Sequence, residues 1–255
     1  MTTSISVGTP ALHIEIRRVP LRQPLEWLNR GWNDLLAIGI PGLAHGALIA
    51  VLGGVLLMLG SSHLYLTAAA VTGYLLVGPI MTTGTCELAR RRGAHETLGF
   101  DESLQALARN PDGLMHFGGV LALIAVLWFA LSAVLLQSVF NTSTPSLAVA
   151  LWGGSGAVAP RELLGYVGCG AVLAGIVFAM SVVAVPLLID RHANASEAIR
   201  ASIRASLANL PAMLVWAALI VGLTVIGFVT LLIGMVVIAP LLGYATWHAY
   251  RDLIG

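Results

Sequence analysis

Residues 210–250 read LPAMLVWAALIVGLTVIGFVTLLIGMVVIAPLLGYATWHAY and hold no Asp, Glu, Lys or Arg. As one straight helix this stretch would run about 60 Å, roughly twice the hydrocarbon core of a bilayer. It is therefore expected to fold back on itself as two membrane-spanning helices, with a turn near 227–230.

The rest of the chain has the same character. Of its 255 residues, 58% are hydrophobic and 10% charged, against about 25% charged in soluble domains. All thirteen basic residues are Arg. Further spans are expected at 43–60, 65–86, 114–137 and 163–189. Residues 25–38, a segment around Leu104, Leu107 and Ala108, and 194–209 read as short amphipathic helices. Asn194 and Glu197 stand in capping-box spacing at the head of the third. For the first, two placements are open: in the plane of the membrane interface, or packed on the ends of the bundle.

These segments repeat. Each unit has an amphipathic helix, a proline entering the first span (Pro41, Pro111, Pro211) and a late proline in the second (Pro79, Pro186, Pro240). VGPIMTTGTCELARR (77–91) aligns without a gap on IAPLLGYATWHAYRD (238–252), placing Glu87 on His248 and Arg90 on Arg251. The expected fold is an all-α membrane protein of six transmembrane helices in three hairpins. Its units are about 20–92, 100–192 and 194–253, within one domain (20–255) behind a disordered tail (1–19). That tail lacks the short apolar run and cleavage site of a signal peptide. Placing the amphipathic helices inside leaves only Arg161 outside, so the positive-inside rule predicts cytoplasmic termini. The late prolines are expected to kink their helices, and the small-residue stripes Gly42/Gly46/Ala50 and Ala171/Gly175/Ala179 to admit close neighbours.

RRVPLRQPLEWLNRGWNDL, LLVGPIMTTGTCELARR, SVVAVPLLIDR and above all PLLGYATWHAYRDL resemble the bacterial membrane family known as domain of unknown function 2189, over about 17–253. The resemblance implies a multi-pass bacterial membrane protein and no assigned activity.

Chemistry is sparse. No nucleophile–base pair, phosphate-binding loop or HExxH motif occurs, so an enzyme is not expected. The histidines show no i,i+4 pair and none falls mid-membrane, although His45, His116 and His248 lie near the same ends of their spans. No cofactor, metal or nucleic-acid partner is expected. The predicted spans hold no ionisable Asp, Glu, Lys or Arg in their cores, which disfavours ion-coupled transport. A passive path lined by Thr67, Thr72, Ser132, Ser181 and Thr224 stays open, though such hydroxyls commonly bond back to their own helix. The strongest constellation is the cytoplasmic rim: Glu87 and Arg90, Asp190 and Arg191, His248 and Arg251. It reads either as salt bridges and lipid-headgroup anchors, or as a shared cluster for an anionic ligand, a headgroup or a partner. The expected partners are the bilayer and a membrane protein or second copy. The expected role is a non-catalytic accessory or envelope factor of the inner membrane, with a channel or transporter as the alternative.

Overall fold

A computed structural model describes residues 14–60, 73–74, 78–139 and 160–255. Among these, ten helices follow in order: α1 (Gln23–Ile38), α2 (Ile40–Gly60), α3 (Thr83–Gly93), α4 (Phe100–Arg109), α5 (Pro111–Val139), α6 (Pro160–Ser181), α7 (Ala184–Arg191), α8 (Ala195–Ala208), α9 (Leu210–Val229) and α10 (Met235–Leu253). Half of the expected second span, with Thr67 and Thr72, and most of the 141–160 loop lie outside the described residues.

Four stretches are long and apolar enough to cross a membrane: Ile40–Leu59, Pro111–Ser132, Leu164–Arg191 and Leu210–Val229. Leu48, Leu123 and Leu214 stand at least 60% exposed on them, as suits helices whose outer faces meet acyl chains. Prolines lie at the start of α2, α5 and α9, where a missing N–H costs nothing.

The opening stretch does divide into two helices, with the chain reversing at 230–234 rather than 227–230. Leu231 and Leu232 take positive φ there, and the Thr230 hydroxyl accepts from the Gly234 amide at 2.9 Å. The second helix differs from expectation. α10 is not among the four apolar stretches, because its last turns carry His248, Arg251 and Asp252. It is the hub of the bundle, packed on α1, α2, α3, α7 and α9.

The late prolines act differently from one another. Helical backbone after Pro79 is interrupted at Thr82. Before Pro186 it breaks at Val182–Val183, around the carbonyl that proline leaves unbonded. Pro240, expected to kink its helix, leaves α10 unbroken. The Val236 carbonyl that it frees lies against Gly46, where any Cβ would overlap it. The small-residue stripe on α2 therefore packs on α10, with Gly42 against the Tyr244 hydroxyl. On α6 the Ala171/Gly175/Ala179 stripe is used only at its end. Ala179 O accepts from Ser202 at 2.8 Å, while space around Gly175 is open.

The three amphipathic helices form, and Asn194 and Glu197 complete the capping box on α8. The second and third turn small residues inward and leucines outward. α8 buries Ala198, Ala201, Ser202, Ala205 and Ser206, and exposes Leu207. α4 buries Ser103 and Ala106, and exposes Leu104 and Leu107. On α1, Trp27 is fully buried edge-on to Trp216 at 5.8 Å, so this ring packs in the bundle rather than at a headgroup surface, while Trp32 is exposed. Each of these helices sits on the second helix of the preceding sequence unit: α4 on α3, α8 on α6 and α7, and α1 round to α10.

Residues 14–19, expected within a disordered tail, are instead ordered against the C-terminus. Ile16 bridges Ile254, Arg17 N donates to Leu253 O at 2.9 Å, and Gly255 N donates to Glu15 O at 3.0 Å. Asn209 fastens the same segment, accepting from Val19 N at 2.8 Å and donating to Arg17 O at 3.0 Å.

Candidate functional site: a charged cavity at the arginine-rich end

α3, α7 and α10 meet at their C-terminal ends. Their junction is packed: Cys86, Leu88, Leu187, Leu188, Tyr244 and Ala245 are all fully buried. Past this apolar plug lies a ring of charge.

On α3, Glu87 is fully buried, and three arginines converge on it. Arg90 donates through Nε to Oε2 at 2.9 Å, Arg91 through Nε to Oε1 at 2.9 Å, and Arg109 of α4 lies 3.1 Å from Oε2. Helical i+3 and i+4 spacing aims Arg90 and Arg91 back at Glu87. Arg109 arrives because α4 packs on α3. Arg90 also holds Glu96 at 2.8 Å, and Arg91 reaches Gln105 at 2.7 Å. The Arg90 guanidinium keeps the Glu96 carboxyl below its ordinary range.

α10 ends otherwise. His248 Nε2 lies 2.8 Å from an Asp34 oxygen of α1, and Asp34 also binds Arg92. Burial chiefly, then Arg30 and with Arg92 following, lowers the imidazole to about 4, with Asp252 opposing. His248 is thus neutral near pH 7 and donates to Asp34. Asp252 accepts from Gln23 and Trp27, each at 2.8 Å, and pairs with Arg30. Burial would raise Asp252, but these donors outweigh it and hold the carboxyl below its ordinary range. Tyr250 donates to Asp190 of α7 at 2.5 Å.

These ends enclose a cavity of about 770 Å³, lined by side chains of α1, α3, α7 and α10 and by the turn after α3. Four of the six residues singled out in the sequence line it: Arg90, Asp190, His248 and Arg251. Glu87 lies buried beneath as the anchor of Arg90. Arg191 does not line it; this side chain lies near the Tyr250 hydroxyl. The structure adds Arg30, Asp34, Arg92, His95 and Asp252. Asp34 was legible as the acidic member of the Trp27, Gly31, Asp34, Leu35, Ile38 face of α1, which is the buried one. A reading that pairs leucines inward places Asp34 on the wrong side.

His45 and His116 do not converge on His248. His45 is buried, with Nδ1 3.0 Å from Pro41 O and Nε2 3.2 Å from Ser103 Oγ, joining α2 to α4. His116 bonds the Asp112 carbonyl of its own helix at 2.7 Å. Among the described residues no group of three or more His, Cys, Asp or Glu side chains is placed to hold a metal ion. Ser181 bonds back to Val177 O at 2.6 Å, whereas Ser132 pairs with Tyr166 at 3.2 Å.

Four apolar helices with exposed outer faces, capped by this charged end, describe an integral membrane protein, and family comparison gives the same answer. The family described as predicted integral membrane protein, domain of unknown function 2189, matches residues 66–190. The match covers just under half of the chain, and takes in α3 through α7 and thus the Glu87 cluster and Asp190. α10, with His248 and Arg251, lies beyond it. No curated protein and no solved structure matches the chain significantly.

Proposed function

We propose that this integral membrane protein is a non-catalytic accessory or envelope factor of the bacterial inner membrane that engages a ligand or partner through its charged cavity. The single observation behind this reading is the meeting of Arg90, Asp190, His248 and Arg251, from three sequence units, around one cavity of about 770 Å³. The proposed topology is six passes in three hairpins. The second pass runs through 65–86 and the sixth uses the apolar first half of α10. The cyclic seating of α1, α4 and α8 supports it. Both termini and the cavity then face the cytoplasm, where the arginines satisfy the positive-inside rule. The packed junction of Cys86, Leu187 and Tyr244 favours a closed bundle over a conducting path.

The test is crosslinking in native membranes followed by affinity purification, with wild type beside Ala94→Trp. Ala94 lines the cavity and is exposed, so the indole fills space without disturbing a buried contact. A stable crosslinked partner captured by wild type and lost in the variant is the expected result. Failure to capture any partner, or equal capture by both proteins, sinks the accessory reading.

A further inference from the structure

The aligned ends of α3 and α10 differ at one position that decides the state of an arginine. In 77–91 the residue three before Arg90 is Glu87, and the two form a buried ion pair. In 238–252 the corresponding residue before Arg251 is His248, which turns to Asp34 instead. Arg251 therefore lacks the carboxylate that its counterpart has. The other charges lining the cavity are committed elsewhere: Asp34 to Arg92 and His248, Asp190 to Tyr250, and Asp252 to Arg30. Among the described residues the Arg251 side chain has no ion pair or hydrogen bond, and it is exposed to the cavity that it lines.

We propose that the cavity binds a phosphate group, from an anionic lipid headgroup or a soluble phosphate ester, on the guanidinium of Arg251. This inference rests on the cavity being the functional site. A guanidinium presents a planar fork of donors that matches phosphate oxygens two at a time. The lining holds four arginines against three aspartates, so a single added anion meets a net positive surround. Carboxylates of the chain share the cavity and still leave Arg251 unpaired, so the guanidinium is open to an incoming anion. The cavity has room for a headgroup. It also lies where the helices emerge from the apolar layer, at the depth where lipid phosphates concentrate. His248, being uncharged, neither neutralises nor competes for that anion.

The experiment uses the full chain extracted in detergent, in two arms. Phosphatidylglycerol is titrated and counted by native mass spectrometry. Inorganic phosphate is titrated against thermal unfolding, with acetate at matched ionic strength as the reference anion. Wild type is expected to retain phosphatidylglycerol, or to be stabilised by phosphate over acetate; whichever arm responds identifies the source. Arg251→Ala is expected to weaken that response at least about tenfold, the worth of a charge-assisted hydrogen bond, and Arg251→Lys to recover part of it. His248→Glu rebuilds the α3 pair beside Arg251 and is expected to close the site as effectively as Arg251→Ala. Should His248→Glu fail to fold, the Arg251 pair of variants decides alone. No response by wild type in either arm, or an undiminished response in Arg251→Ala, overturns the proposal. A partner captured by wild type and lost in Ala94→Trp, together with no anion response, keeps the cavity as a docking site and removes only the phosphate.

Discussion

Residues 77–91 and 238–252 align without a gap, yet they secure the bundle by different physics. The α3 end is held by charge: a fully buried carboxylate with three arginines around it. The α10 end is held by shape. Gly31 approaches so closely that a Cβ there would sit 2.9 Å from Ala245 N, and Gly46 packs on the carbonyl that Pro240 frees. The polar bonds of α10 reach across to α1 and α7 at its last turns, whereas those of Glu87 gather within α3 and α4. The difference teaches that a repeat conserves placement and not interaction. It also shows how one side chain, Arg251, can be spared the ion pair of its counterpart and left open toward the cavity.

The largest expected effect breaks the charged end. Glu87→Ala leaves Arg90, Arg91 and Arg109 facing one another with only Glu96 to offset them. Removing one partner of a fully buried ion pair costs about 3–5 kcal/mol, and here the cost is expected at about 3 kcal/mol, because Glu96 still pairs Arg90 and Arg91 and Arg109 is partly exposed. Thermal unfolding in detergent measures this. A loss under about 1 kcal/mol would mean that α3 is held by packing just as α10 is, and the contrast between the two ends would collapse.

The second prediction concerns the α10 end and its sign is opposite to that of an ion pair. His248 sits near 4 in the folded protein against about 6.5 when unfolded. Between those values the unfolded chain takes up a proton that the folded one refuses. Stability therefore falls as pH drops from about 6.5 toward 4, by at most about 1.4 kcal/mol per pH unit. His248→Gln keeps a donor toward Asp34 and removes the titration, so its unfolding temperature should vary less over this window. Wild type gaining stability on acidification instead would show that His248 and Asp34 form a true ion pair, and would make the two ends alike.

How much of this was legible follows from which forces leave a trace in one dimension. The spans, the capping box at Asn194 and the entering prolines could be read because apolar runs and helix starts are local. Glu87–Arg90 could be read because i,i+3 spacing is local too. The face of Asp34 could be read from α1 alone, but its partners could not, since His248 and Arg92 lie far along the chain. Its burial follows from a face that Trp27, Gly31, Leu35 and Ile38 mark as the inside. In a chain whose solvent is lipid, leucines need not turn inward, so the usual link between apolarity and burial inverts on α4 and α8. The role of α10 was hidden for the same reason. Its last turns read as a charged rim, while Gly31 of α1 and Gly42 and Gly46 of α2 are what fit those helices to its backbone and to Tyr244.

Tyr244→Phe carries the smallest effect and sharpens the claim that α10 is held by shape. The Tyr244 hydroxyl is buried and has no hydrogen-bond partner among the described residues, and the backbone of Gly42 passes beside it. A buried hydroxyl without a partner loses its water bonds and gains none, so its removal costs little or is favourable. The variant should be as stable as wild type or more so, by up to about 1 kcal/mol, in the same unfolding assay. Gly42→Ala should destabilise wild type, because the new methyl meets that oxygen. The same change should cost less in the Tyr244→Phe background, where the nearest ring atom stands 3.1 Å away. Such coupling between contacting positions is what a double-mutant cycle measures. A Tyr244→Phe loss above about 1 kcal/mol, or purely additive effects of the two changes, would mean the hydroxyl is bonded and that polar contacts hold α10 as they hold α3.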